Sequence, residues 1–249
     1  MKISKKFKSL VLVGALLMSL PVNAFAKGPA NAAKSPQKPV IDYVALGDSL
    51  AVGYTPFGPG DVGYPDYISQ DFEKENYKVD YDNYAVPGYT SAQLLKDVLS
   101  NKEVRAGIKE AEYITIDIGG NDLLGALKAD PTGKTAPAAI ARASLNLQII
   151  LQTIDNLNRH AKVYVMGYYN TFPYLPAEQQ AGLLPLLFAF NSKIDTLSKA
   201  NQDTYVPTYN VIASNYPLYL PNPFDIHLSL AGYQVVADQF WKEIDPTLP

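Results

Sequence analysis

Short runs of apolar, β-branched residues alternate with longer helix-patterned segments along this chain, and that alternation constrains its fold most tightly. The runs are Ile41–Leu46, Val79–Val86, Tyr113–Ile118, Val163–Gly167 and Tyr205–Tyr209. Helical spacing marks Tyr64–Glu75, Ser91–Leu99, Ala138–Arg159, Ala177–Ala200 and Leu230–Glu243. In the clearest of these, Ile140, Ala143, Leu147, Ile150, Leu151, Ile154 and Leu157 make one stripe that needs burial. A helix between two strands returns the chain to the same end of the sheet, so the strands run parallel. A parallel sheet is covered on both faces, which predicts an α/β protein. No internal repeat or second linker interrupts residues 40–249, which are expected to form a single domain.

The first residues read differently. Lys2, Lys5, Lys6 and Lys8 form a basic head, Leu10–Leu20 is an apolar run, and Ala24-Phe25-Ala26 is a small-x-small pattern. Together these predict a secretory signal cut after Ala26, hence a secreted, extracellular protein. The apolar run is shorter than the roughly 20 residues that a bilayer span requires, and no later segment is apolar enough to span. Residues 27–39, rich in Ala, Pro, Lys and Gly, are expected to be a flexible tether. Removing residues 1–26, which carry four lysines and no acid, takes the net charge from −3 to −7. That balance argues against nucleic acid or an anionic membrane as partner. The chain has no cysteine, so a packed core rather than disulfides must hold the exported protein together.

Several common chemistries are excluded. Two distant histidines and no cysteine do not make a zinc set, and no metal or organic cofactor is expected. Gly58-Pro59-Gly60-Asp61-Val62-Gly63 fits the G-x-G-x-x-G pattern, but no strand leads into it and its prolines mark a loop. No G-x-S-x-G elbow is present.

What remains is a set of polar residues at strand ends. Val44-Ala45-Leu46 stops at Gly47-Asp48-Ser49. Gly88 follows the second strand signal, Asn121 the third, and Asp225-Ile226-His227 precedes the last helix. In a parallel sheet the carboxyl ends of the strands share one edge, where such folds place their ligands. A serine after a strand is often only a helix cap, but these partners complete the needs of acyl transfer. Ser49 supplies a nucleophile, His227 a base, Asp225 a group to hold that base, and Gly88 and Asn121 offer N–H donors. His160, at the end of the long helix, suits the helix terminus instead.

Gly47-Asp48-Ser49-Leu50, Gly88, Gly120-Asn121-Asp122 and the Asp225–His227 segment, in this order, resemble the sequence blocks of the SGNH hydrolases, also called GDSL esterases and lipases. The resemblance implies a three-layer α/β/α, flavodoxin-like fold. It implies Ser49 as nucleophile, His227 as base, and the Ser49 and Gly88 backbone N–H groups with the Asn121 amide as oxyanion hole. The family usually places Asp three residues before the histidine, where this chain has Phe224; Asp225, two before, is expected to orient His227 from an extended segment. Leu228 stands where a proline is usual, and a looser turn is expected there. Asp48 and Asp122 are expected to hold turns by side-chain to backbone bonds.

These readings converge on a secreted serine esterase of lipase type, cleaving carboxylic esters through an acyl-serine. Its substrate would be a small-molecule, lipid or glycan ester. Leu184 and Phe188 project away from the core stripe of their helix, and with Tyr169 they are the candidates for an acyl-chain wall. Two other readings use the same fold: an O-acetyl deacetylase of cell-wall or other polysaccharide, and a catalytically silent surface-binding protein. Neither oligomeric state nor acyl length is written in these residues.

Overall fold

The computed structural model describes residues 38–249, apart from positions 59 and 61. The signal segment and nearly all of the tether lie outside the described residues. The chain runs β1 (Val40–Gly47), α1 (Ser49–Val52), α2 (Tyr64–Lys74), β2 (Lys78–Asn83), α3 (Ser91–Ser100), α4 (Lys102–Glu110) and β3 (Tyr113–Asp117). It continues through α5 (Gly120–Ala129), α6 (Ala136–Leu157), β4 (Lys162–Gly167), α7 (Ala177–Ala200) and β5 (Thr204–Pro207). Two short helices, α8 (Tyr209–Ala213) and α9 (Tyr216–Tyr219), precede α10 (Leu230–Ile244).

All four strand pairings are parallel, and the order across the sheet is β2-β1-β3-β4-β5. The chain first steps from β1 out to β2, then returns past β1 to β3 and continues outward. The connections thus diverge between β1 and β3, and in such sheets the crevice at this switch point takes the ligand. Helices α2 and α10 pack together as one layer, while α3, α4, α6 and α7 make the other. The fold is the expected α/β three-layer arrangement.

Burial follows position in the sheet. Every residue of central β3 is buried, whereas edge strand β2 alternates half-buried Val79 and Tyr81 with exposed Asp80 and Asp82. Charged residues on an exposed edge discourage pairing with another chain. The tyrosines fill the core, and apart from Tyr168 the buried ones bond their hydroxyls to partners. Tyr43 bonds Thr115 at 2.8 Å, and Tyr233 donates to the Tyr54 carbonyl. A buried tyrosine keeps its apolar area without an unsatisfied O–H in this way.

Element boundaries depart from expectation for identifiable reasons. The second strand ends at Asn83 rather than Val86, because Asn83 donates to the Ala51 carbonyl and accepts from the Ala85 N–H, turning the chain. The fifth strand stops at Pro207, and Tyr209 begins α8. The long helix starts at Ala136, since Pro137 fits a first helical turn. It ends at Leu157, where the Asn158 amide bonds the Ile108 and Ala111 carbonyls. Helices α4 and α5 were not expected at all.

Candidate active site

Ser49 is the first residue after the Asp48 cap of α1, so its N–H has no intrahelical partner. Asp48 shapes the turn by accepting the Leu50 N–H at 3.0 Å. Its own N–H donates to Asp117 Oδ2 at 3.3 Å, and Asp117 Oδ1 accepts the Tyr64 hydroxyl at 2.7 Å. Gly47 is required here, because a Cβ at that position would collide with the Asp117 carboxyl. Asp48 and Asp117 are both buried. Burial pushes the Asp48 carboxyl up to about 6, and Asp117 well above the usual carboxylate range, with the charge of Asp48 adding to the second effect. Beside the charge of Asp48, the buried Asp117 carboxyl favours its protonated form.

His227 reaches Ser49 from the far side of the fold. Its Nε2 lies 2.8 Å from Ser49 Oγ, and its Nδ1 lies 2.6 Å from Asp225 Oδ1. The same Asp225 oxygen accepts the His227 backbone N–H at 2.8 Å. The carboxylate therefore meets the imidazole through an Asx turn over two residues, not through the alternation of an extended segment. Phe224, at the position where a carboxylate was sought, is 98% exposed and points away. Leu228 does not loosen the turn: it is buried, and Ser229 directly after it caps α10 by accepting the Gly232 N–H at 3.1 Å. The Tyr169 hydroxyl donates to the Ile226 carbonyl at 2.7 Å and pins the segment from its other side.

Gly88 occupies the third position of the Val86–Tyr89 turn, with φ of 79° and a 3.1 Å bond from Tyr89 N to Val86 O. Proline followed by a positive-φ glycine is the signature of a type II turn, which a side chain at position 88 would strain. The turn is held beside Ser49 by two bonds. Val86 N–H donates to the Gly47 carbonyl at 3.1 Å, and the Asn121 amide donates to the Tyr89 carbonyl at 2.9 Å. Asn121 Nδ2 also donates to Asp48 Oδ2 at 3.1 Å. Asn121 is thus brought to the site with both amide hydrogens engaged. Asp122, next to it, accepts both the N–H and the hydroxyl of Ser91, so it anchors α3 rather than its own turn. His160 is exposed at the end of α6, outside the site.

A cleft of about 680 Å³, measured out to its mouth, opens from Ser49 between α5 and α7. Leu184 and Tyr169 line it as expected, together with Tyr168, Asn170, Thr171 and Phe172. Phe188 does not line it. Its ring packs edge-on against Tyr209 at 5.1 Å, because α7 turns that position toward α8. Leu183 and Leu187 face the cleft as well. The opposite wall, Leu123, Leu124 and Leu127, comes from α5 and was missed. Helix α5 is capped by Gly119 and begins at Gly120, and glycine at a helix start hides the pattern.

A nucleophile with its hydrogen-bonded base, free N–H groups nearby and an apolar slot is an arrangement able to transfer acyl groups. Known proteins agree at the level of family. The family of GDSL-like lipases and acylhydrolases matches residues 45–235, which include Ser49 and His227. The uncharacterised protein YpmR of Bacillus subtilis is 30% identical over 82% of this chain and 90% of its own length. A spore germination lipase of Bacillus licheniformis, LipC, is 27% identical over 80% of this chain and 94% of its own. Among solved structures, a lipase from a goat rumen metagenome has a TM-score of 0.70 at 25% identity, covering 81% of this chain and 96% of that one. An acetylxylan esterase of Geobacillus stearothermophilus shares the fold, with a TM-score of 0.61 at 17% identity over 81% and 93% of the two chains. On the strength of the match that spans most of its folded part, the chain belongs to the GDSL-like lipase/acylhydrolase family.

Proposed function

We propose that this protein is a secreted serine esterase that cleaves carboxylic esters of aliphatic acids through an acyl-serine intermediate. The observation that carries the reading is the continuous chain Asp225–His227–Ser49, at 2.6 and 2.8 Å, opening onto a leucine-lined cleft. As Ser49 Oγ attacks the ester carbonyl, its proton passes to His227 Nε2, and the Nδ1–H stays on Asp225 Oδ1 to stabilise the imidazolium. The carbonyl oxygen, now negative, is met by the Ser49 and Gly88 N–H groups. Asn121 joins them by turning one amide hydrogen away from the Tyr89 carbonyl or Asp48. Collapse breaks the bond to the alcohol oxygen, which takes the proton from His227. Water, deprotonated by His227, then attacks the acyl-serine and releases the acid.

The cleft favours an acyl chain longer than acetyl, which separates this reading from a deacetylase. Hydrolysis of p-nitrophenyl esters from acetate to decanoate tests both. The expected result is higher kcat/KM for chains of medium length and no turnover by Ser49→Ala that remains folded. Turnover confined to acetate supports the deacetylase, and undiminished turnover by the variant removes Ser49 from the chemistry.

A further inference from the structure

Two phenylalanines stand in solvent beside the site, and nothing in the fold calls for them. Phe57 is 81% exposed and Phe224 is 98% exposed. Neither sits on a slack loop. Phe57 tops a turn closed by reciprocal Thr55–Gly58 backbone bonds at 3.1 and 3.2 Å, and its N–H donates to Thr55 Oγ1. Phe224 tops a turn in which the Asn222 side chain accepts the Phe224 N–H at 3.0 Å and the Asn222 carbonyl accepts that of Asp225 at 3.2 Å. The rings are therefore held out by hydrogen-bonded backbone. Phe57 lines an apolar groove with Pro217, Leu218, Pro221 and Leu230, and Phe224 stands three residues beyond Pro221 of its wall; Leu218 is 51% exposed.

This collar adjoins the reacting groups. Tyr54, which leads into the first turn, has its ring 5.7 Å from that of His227. The segment carrying Phe224 is a ridge: Ile226 faces the acyl cleft, while Pro221 and Ser229 face the groove.

Charge selects the partner. None of the connections that leave the carboxyl ends of the five strands contains a lysine or arginine. From residue 204 to 237 the one aspartate, glutamate, lysine or arginine is Asp225, and it is bonded to His227. Anionic lipid surfaces are gripped by clustered cations, and the segments that carry Phe57, Phe224 and the groove have none. Rigid aromatic tips on an uncharged rim fit an uncharged or zwitterionic lipid–water interface, into which phenylalanine and leucine insert readily. We infer that Phe57, Phe224 and this groove dock the protein on a neutral lipid surface, presenting the acyl cleft to esters held there. The inference deepens the esterase reading and rests on it for its purpose, but its test does not depend on turnover.

The test is amide hydrogen exchange on the full chain carrying Ser49→Ala, with phosphatidylcholine vesicles, phosphatidylglycerol vesicles or acetylated xylooligosaccharide. Phosphatidylcholine should slow exchange in 54–58 and 216–231 by about tenfold, and Phe57→Ser/Phe224→Ser should abolish that protection. Added to the chain with Ser49 intact, the same pair should leave turnover of a dissolved short ester within about twofold of normal. Phe57→Ser alone, far in sequence from His227, should weaken the protection and guards against a folding defect in the pair. The inference is overturned if these segments are unprotected, if the double variant is protected equally, or if only phosphatidylglycerol or the oligosaccharide protects them. Failure of wild type to hydrolyse any ester would instead overturn the esterase reading, leaving the vesicle result to stand separately.

Discussion

At the scale of single residues, the placement of Asp225 is the most specific feature of this chain. A carboxylate two residues before the histidine works because the Asx turn folds it back onto both the backbone and the ring of His227. Asp225→Asn should lower kcat by about 10³–10⁴-fold, as loss of an orienting carboxylate does in serine hydrolases. Adding Phe224→Asp should recover less than about tenfold, because that position points into solvent and cannot reach Nδ1. Full rescue in steady-state kinetics would show that the turn is not what orients His227. Beneath the nucleophile, Asp48 and Asp117 hold a proton that the unfolded chain would release. Their raised pKa values contribute stability that is fully present below the ordinary carboxylate range and is lost as pH rises, through about 6 for Asp48 and at higher pH for Asp117. Asp117→Asn keeps the shape of the side chain and an oxygen to accept the Asp48 N–H, and removes one of the ionisable groups. Its Tm should exceed that of wild type at pH 8 by about 2–4 °C, the shift that roughly 1 kcal/mol gives a domain of this size. The gap should close near pH 4.5, and parallel Tm–pH curves would show that the pair does not titrate as described.

At the scale of elements, the proposed acyl slot is the leucine-lined cleft between α5 and α7. Helix α7 runs 24 residues, with its first half reaching past the sheet to face the cleft and Phe190 and Ile194 buried farther along. One face thus changes role along its length, which a single hydrophobic stripe does not reveal. Leu184→Trp should fill the slot from the α7 side. The expected result is a fall in kcat/KM for octanoate of about 10- to 100-fold with acetate little changed, since a lost methylene contact is worth about 1–3 kcal/mol. An unchanged chain-length profile would place the acyl chain elsewhere. The two helices differed in legibility for a physical reason. α7 outlasts Gly182 and Pro185 because strong helix formers fill most of its 24 residues, whereas the ten-residue α5 begins at Gly120 and contains Gly125.

At the scale of the whole molecule, the alternation of strand and helix signals specified the layers, the parallel sheet and the edge on which Ser49, Gly88, Asn121 and His227 gather. It could not specify strand order, which depends on how helices pack across the sheet. Nor did it show that Asn121 arrives with both amide hydrogens taken, since that depends on Tyr89 and Asp48 meeting it in space. Polar residues at strand ends were legible because a parallel sheet collects them. The slot and the aromatic collar were less so, because they are made by surfaces of separate elements. All of them serve one claim, that Ser49 forms a covalent bond to the substrate carbonyl. The most direct measurement is intact mass and peptide mapping after treatment with a fluorophosphonate. The account expects one adduct per chain, on Ser49, formed far more slowly when His227 is replaced by alanine. An unmodified Ser49, or an adduct on another residue, would contradict it.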